Sequence, residues 1–100
     1  MNFSKRIACA AAFLAVALPG AAFAYSGENL APEAKVTMAQ ATAIALKARP
    51  GVVTDRELER EGGGLRYSFD IKSGGVVYEV GVDAKTGKLL ENSKEGPHPD

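Results

Sequence analysis

Residues Val76 to Glu91 read V-V-Y-E-V-G-V-D-A-K-T-G-K-L-L-E. Val76, Tyr78, Val80 and Val82 alternate with Val77, Glu79 and Gly81, the period-two pattern of a strand with one buried face. Asp83 opens a turn, since its carboxylate can accept backbone N–H groups two residues on, and Thr86 and Gly87 complete it, Gly87 by supplying a positive φ. With Ala84 to Gly87 as the loop, Leu89 falls opposite Val82 in a returning strand. Leu90 and Val77 are then expected on the other sheet face, where exposed apolar side chains are candidates for partner binding. Calcium is excluded at Asp83, because one carboxylate with Lys85 inside the loop is far from the ligand set of a calcium loop.

Upstream, L-R-Y-S-F-D-I alternates in the same way, with Leu65, Tyr67, Phe69 and Ile71 apolar and Arg66, Ser68 and Asp70 polar. A four-residue loop over Lys72 to Gly75 pairs Ile71 with Val76, Phe69 with Tyr78, Tyr67 with Val80 and Leu65 with Val82. Every apolar residue then meets an apolar partner, and a slip of one residue would turn the whole set into water. Before Gly62-Gly63-Gly64 stands V-V-T-D-R-E-L-E-R-E, read as a first edge strand whose charges block unwanted pairing. Its carboxylates suggest a cation site, but Arg56 and Arg60, interspersed among them, are expected to neutralise it.

The helix precedes these strands. Thr37 and Gln40 form a capping box, with Val36 at the staple position, and Met38, Ala41, Ile44, Ala45 and Ala48 share one broad face at 3.6 residues per turn. Alanine on that face lets the helix lie close on a sheet. Arg49 precedes Pro50, which disfavours helical geometry, and Gly51 follows; the helix ends there. The fold class is therefore α+β, one N-terminal helix packed on an antiparallel meander of three to four strands.

The two ends read differently. Lys5 and Arg6, the twelve-residue apolar run Ile7 to Leu18, Pro19-Gly20 and the small-x-small tripeptide Ala22-Phe23-Ala24 make residues 1–24 a signal peptide. A membrane span needs about 20 apolar residues, more than this run holds. Cys9, the one cysteine, lies near the start of the run and leaves with the peptide, so no disulfide framework is expected. The remaining 76 residues make one domain, and their ten basic against twelve acidic residues argue against nucleic acid or an anionic membrane as partner. Residues 25–35, punctuated by Gly27, Asn29 and Pro32, are expected to form a flexible leader. Residues 93–100 form a disordered tail, in which His98 and Asp100 cannot be held in metal-binding geometry.

In V-Y-E-V-G-V-D-A-K-T-G-K-L-L, the residues Val80, Val82, Asp83, Ala84, Thr86, Gly87 and Leu89 follow a V-x-V-D-A-x-T-G-x-L/V pattern, and with the alanine-rich helix and Pro50-Gly51 this resembles the PepSY domain family over residues 36–92. Arg56, where an aliphatic residue is usual, and Ser68 and Asp70 flanking Phe69 depart from the family pattern. PepSY domains resemble propeptide segments of secreted thermolysin-type metalloproteases. The resemblance implies a non-catalytic binding or inhibitory module, periplasmic or secreted, with a protein partner in the cell envelope such as a peptidase. It carries over no catalytic residue, cofactor or metal. The alternative is an accessory ligand- or metal-sensing domain of an envelope signalling or transport system. An enzyme is disfavoured by inventory, since the chain after residue 24 holds no cysteine and one histidine, in the tail.

Because Gly87 shapes the turn that closes the sheet, Gly87→Val is expected to destabilise the domain by more than about 1 kcal/mol, read as a lower midpoint in urea or thermal unfolding.

Overall fold

The computed structural model describes residues 24–96. The signal-peptide pattern, apart from Ala24, and residues 97–100, with His98 and Asp100, lie outside them; Ser93 and Lys94, expected in a disordered tail, instead belong to the last strand. One helix, α1 (Met38–Ala48), packs on a four-stranded antiparallel sheet of β1 (Val52–Glu61), β2 (Gly64–Ser73), β3 (Val76–Asp83) and β4 (Leu89–Lys94), in the order β1-β2-β3-β4. This is an α+β fold.

The capping box sets the start of α1: the Thr37 hydroxyl accepts from the Gln40 N–H at 3.1 Å, and the Gln40 side-chain carbonyl accepts from the Thr37 N–H at 2.9 Å. At the other end Arg49 is extended (φ −141°, ψ 90°), as a residue before proline prefers. Ala41 and Ala45 face the sheet and are fully buried, with Met38, Ile44 and Leu46 packed around them. Below them lie Leu58 of β1, Leu65, Tyr67, Phe69 and Ile71 of β2, and Val80 and Val82 of β3. Burial of each large apolar side chain in that layer contributes about 1.5–3 kcal/mol. The Tyr67 hydroxyl stays satisfied in this core by donating to the Val36 carbonyl at 2.6 Å.

The β2–β3 connection corrects the four-residue loop. Ser73 pairs with Val76 across a two-residue turn, Gly74-Gly75, whose φ values are 60° and 81°. Turns with both central φ positive match the right-handed twist of the flanking strands, which makes them favoured over longer loops. Gly62-Gly63 joins β1 to β2 in the same way. The observed partners are Ile71 with Tyr78, Phe69 with Val80 and Tyr67 with Val82. The displacement is by two residues, so no side chain changes face.

β4 departs further. Val82 pairs with Leu89 as expected, but Gly81 pairs with Glu91, so Leu90 is the extra residue of a β-bulge. Asn92 reaches the helix: its Oδ1 accepts from Arg49 Nε at 3.1 Å and its Nδ2 donates to the Ala48 carbonyl at 3.4 Å. The Arg49 guanidinium lies 3.7 Å from the centre of the Tyr78 ring, a cation–π contact on the same side. Leu90, unpaired in the bulge, has no partner on β3, so the simple alternation that set it beside Val77 does not hold there. Leu89 and Leu90 remain 39% and 46% exposed, so Leu89 borders the core without completing it.

The flexible leader is also corrected. Residues Glu28–Glu33 form a 3-10 helix, and Tyr25, Leu30, Ala31 and Ala34 pack against the core. Ser26 makes an isolated parallel bridge with Glu57, the Leu58 N–H donating to the Ser26 carbonyl at 2.9 Å. The segment is thus a strap along the outer edge of β1, which blunts that edge. An exposed ion pair, Arg60 to Glu33 at 2.6 Å, adds little to it. Gly27 makes the strap possible: its φ is 86°, and a Cβ there would collide with the Leu58 carbonyl. Gly27→Ala is expected to detach the strap, seen as faster amide exchange at Leu58 with the β2 and β3 amides still protected.

Candidate functional site

Alternation that buries Leu58, Tyr67 and Val80 on the helix side sends their neighbours to a face that no helix among the described residues covers. On β1 these are Asp55, Glu57, Glu59 and Glu61, paired with Asp70, Ser68, Arg66 and Gly64 of β2. Glu79 of β3 pairs with Asp70, and Glu91 of β4 with Gly81. Together they line an open groove of about 330 Å³. Arg56 and Arg60, by contrast, pair with Phe69 and Leu65, whose side chains are in the core. The expected neutralisation of the β1 carboxylates therefore fails: the two arginines follow the strand's alternation to the opposite side.

Counting Glu95, just past β4, the uncovered face carries eight carboxylates against two cations, Arg66 and Lys72, among the described residues. Arg66 is only 14% exposed and bridges the strands: its Nη2 donates to Glu91 at 2.8 Å and its Nε to the Ser68 hydroxyl at 2.9 Å. Ser68 in turn donates to Glu59 at 2.6 Å, and Glu61 lies 3.8 Å from Arg66 Nε. The guanidinium occupies the space beside Gly81, where any Cβ would collide with it. Crowding shows on β1: a hydrogen bond with Glu59, then burial, then repulsion from Glu59, Asp55 and Asp70 hold the Glu57 carboxyl above the usual glutamate range.

Asp70, Glu79 and Glu95 offer carboxylate oxygens within 4.8 Å of one another, a donor set suited to a hard cation. Each of the three also makes interactions within the protein. The trio comes from three separate parts of the sheet, so no ligand spacing shows in the sequence.

The residues singled out in the sequence are distributed as follows. Asp83 accepts from the N–H groups of Lys85 (2.7 Å) and Thr86 (3.0 Å), and these bonds hold its carboxyl below the usual aspartate range. The Thr86 hydroxyl accepts from the Lys88 N–H at 3.2 Å, and Gly87 has φ 81°. Val77 pairs with Lys72 on the uncovered face, and Leu90 is the unpaired, 46% exposed residue of the β4 bulge. Asp55, Glu57, Glu59 and Glu61 at alternate positions are the readable signal of the acidic face, and the interspersed arginines leave it for the other side of the strand.

Such a surface can hold cations and order basic groups along strands. Among the described residues there is no cysteine or histidine, and no helix long and apolar enough to cross a membrane. A helix laid on a four-stranded antiparallel meander, closed by a V-D-A-x-T-G turn, defines a small α+β domain. Residues 35–92, more than half of the chain, match the family model described as "Peptidase propeptide and YPEB domain", and the chain belongs to this PepSY family. The match begins at Lys35, where the chain enters α1, and ends at Asn92, which ties β4 to the helix. The strap lies before it. Neither the curated proteins nor the solved structures yield a match.

A carboxyl whose pKa rises on folding stabilises the fold below its unfolded value and loses that contribution as pH climbs through the folded value. Glu57→Gln is therefore expected to melt above the parent at neutral pH, with the gap closing as pH falls toward 4.5, measured by thermal unfolding across that range.

Proposed function

We propose that this chain is a non-catalytic, exported binding module that restrains or modulates a protein partner in the cell envelope, a secreted peptidase being the favoured partner. The observation that carries the reading is the family match over residues 35–92, whose description names peptidase propeptides. The uncovered face supports it, because it offers a broad charged surface without a nucleophile, base and orienter in catalytic arrangement. Export rests on the signal pattern of residues 1–24. Tyr25, directly after the small-x-small site, packs against the core as part of the strap. Cleavage after Ala24 would leave Tyr25 at the N-terminus of the working protein.

A second reading, an accessory ligand- or metal-sensing domain, is favoured by the Asp70, Glu79 and Glu95 grouping. Calorimetric titration with calcium, iron and zinc separates the two. Heat from one metal that vanishes in Asp70→Asn supports sensing.

For the first reading, the exported protein is incubated with secreted peptidases and envelope proteins of its host. A peptidase that is slowed and cross-links to the domain is the expected result. Peptidases that all run at full rate, with no cross-linked envelope protein, would sink it.

A further inference from the structure

We propose that the uncovered sheet face is a docking surface for an extended basic segment of the protein partner, with lysine or arginine at alternate positions lying along β1. This rests on the binding-module reading above and names the chemistry of the partner.

Three observations carry it. The first is charge segregation. Eight carboxylates and two cations stand on the uncovered face, while Lys47, Arg49, Arg56 and Arg60 lie on the helix side, so a nearly neutral chain becomes two unlike surfaces. The second is spacing. Side chains on one face of a strand recur about every 6.7 Å, so Asp55, Glu57, Glu59 and Glu61 form a row about 20 Å long that an extended chain with alternate basic residues matches in register. A single metal ion cannot bridge a row of that length. The third is independent of the carboxylate count: the face already seats a guanidinium. Arg66 occupies the space that Gly81 leaves open, held by Ser68 and Glu91, so a guanidinium is accommodated against this sheet.

A second copy of the chain fits less well. Its basic groups are on the helix side, so acidic face on helix side is a head-to-tail contact, which propagates as a filament instead of closing.

The test uses the exported protein and synthetic peptides of about ten residues, the length of β1. One peptide alternates lysine and threonine, one has the same composition with its lysines in a single block, and one alternates glutamate and threonine; spermine and calcium chloride are tested alone. Binding is followed by amide chemical shifts and calorimetry. The alternating basic peptide should shift β1 and β2 amides of the uncovered face and bind more tightly than the block peptide. Its affinity should fall as salt rises from about 0.01 to about 0.15 M, where the screening length shrinks from about 30 to about 8 Å. The Asp55→Asn/Glu57→Gln double variant should weaken it about tenfold, with melting no lower than the parent's, whereas Glu28→Gln/Glu33→Gln should leave it unchanged.

Equal binding of block peptide and spermine would overturn the extended-segment assignment in favour of generic cation attraction. Saturation by calcium alone with no peptide shifts, or concentration-dependent self-association that blocks the face, would overturn it as well. Loss of peptide binding with peptidase restraint intact would refute this proposal and leave the module reading standing. Peptide binding with no envelope partner would do the reverse.

Discussion

The carbonyl of Ala84 is the point on which the two layers depend. It accepts from the backbone N–H groups of both Lys35 and Val36 at 2.9 Å, while the Ala84 N–H donates to the Leu65 carbonyl at 2.9 Å. One residue, Ala84, thus joins the entry of α1, the start of β2 and the turn after β3. Its side chain is fully buried, so a larger residue would wedge these three apart. Asp83 beside it ties down the N–H groups of Lys85 and Thr86, and Gly87 sends the chain back through its own N–H to the Asp83 carbonyl at 2.9 Å. The V-D-A-x-T-G signature is a hydrogen-bond junction in which each letter has a steric or bonding reason. At the far end of the helix Asn92 does a related job with one side chain, joining β4 to the Ala48 carbonyl.

With the helix pinned at both ends, the sheet has one covered face, and strand alternation decides which charges it keeps near the core. Arg56 and Arg60 go to the helix side, and the four carboxylates of β1 go to the other. Composition alone, with equal numbers of acidic and basic residues over the whole chain, conceals this. The electrostatic character of a sheet protein is a property of each face.

Much of the fold was legible because its signals were redundant. The capping box, the alanine face and the alternation of Leu65 to Ile71 and of Val76 to Val82 each point to the same architecture. The Lys72 to Gly75 segment misled only about loop length, because loops of two and four residues share parity and bury the same side chains. Leu90 could not be placed from its period, since a bulge breaks the alternation that such a reading assumes. The strap was hidden for a different reason: a short 3-10 helix containing Pro32 has no amphipathic period, and its attachment depends on the backbone N–H of Leu58, in a strand far along the chain. The acidic face was written plainly at positions 55, 57, 59 and 61. Arg56 and Arg60 obscure it, because residues adjacent in a strand's sequence point to opposite faces.

Gly81 carries no charge, yet it governs the potential of the uncovered face. The Arg66 guanidinium rests in the volume where a side chain at position 81 would be, and from there it offsets Glu59, Glu61 and Glu91. A methyl group at that position would lift the guanidinium toward water, where its field is screened, and the same sheet would present a markedly more negative surface with no acidic residue added. Backbone sterics at one small residue therefore act as a rheostat for long-range attraction, so related chains that differ only there can differ in how strongly they draw a cationic partner.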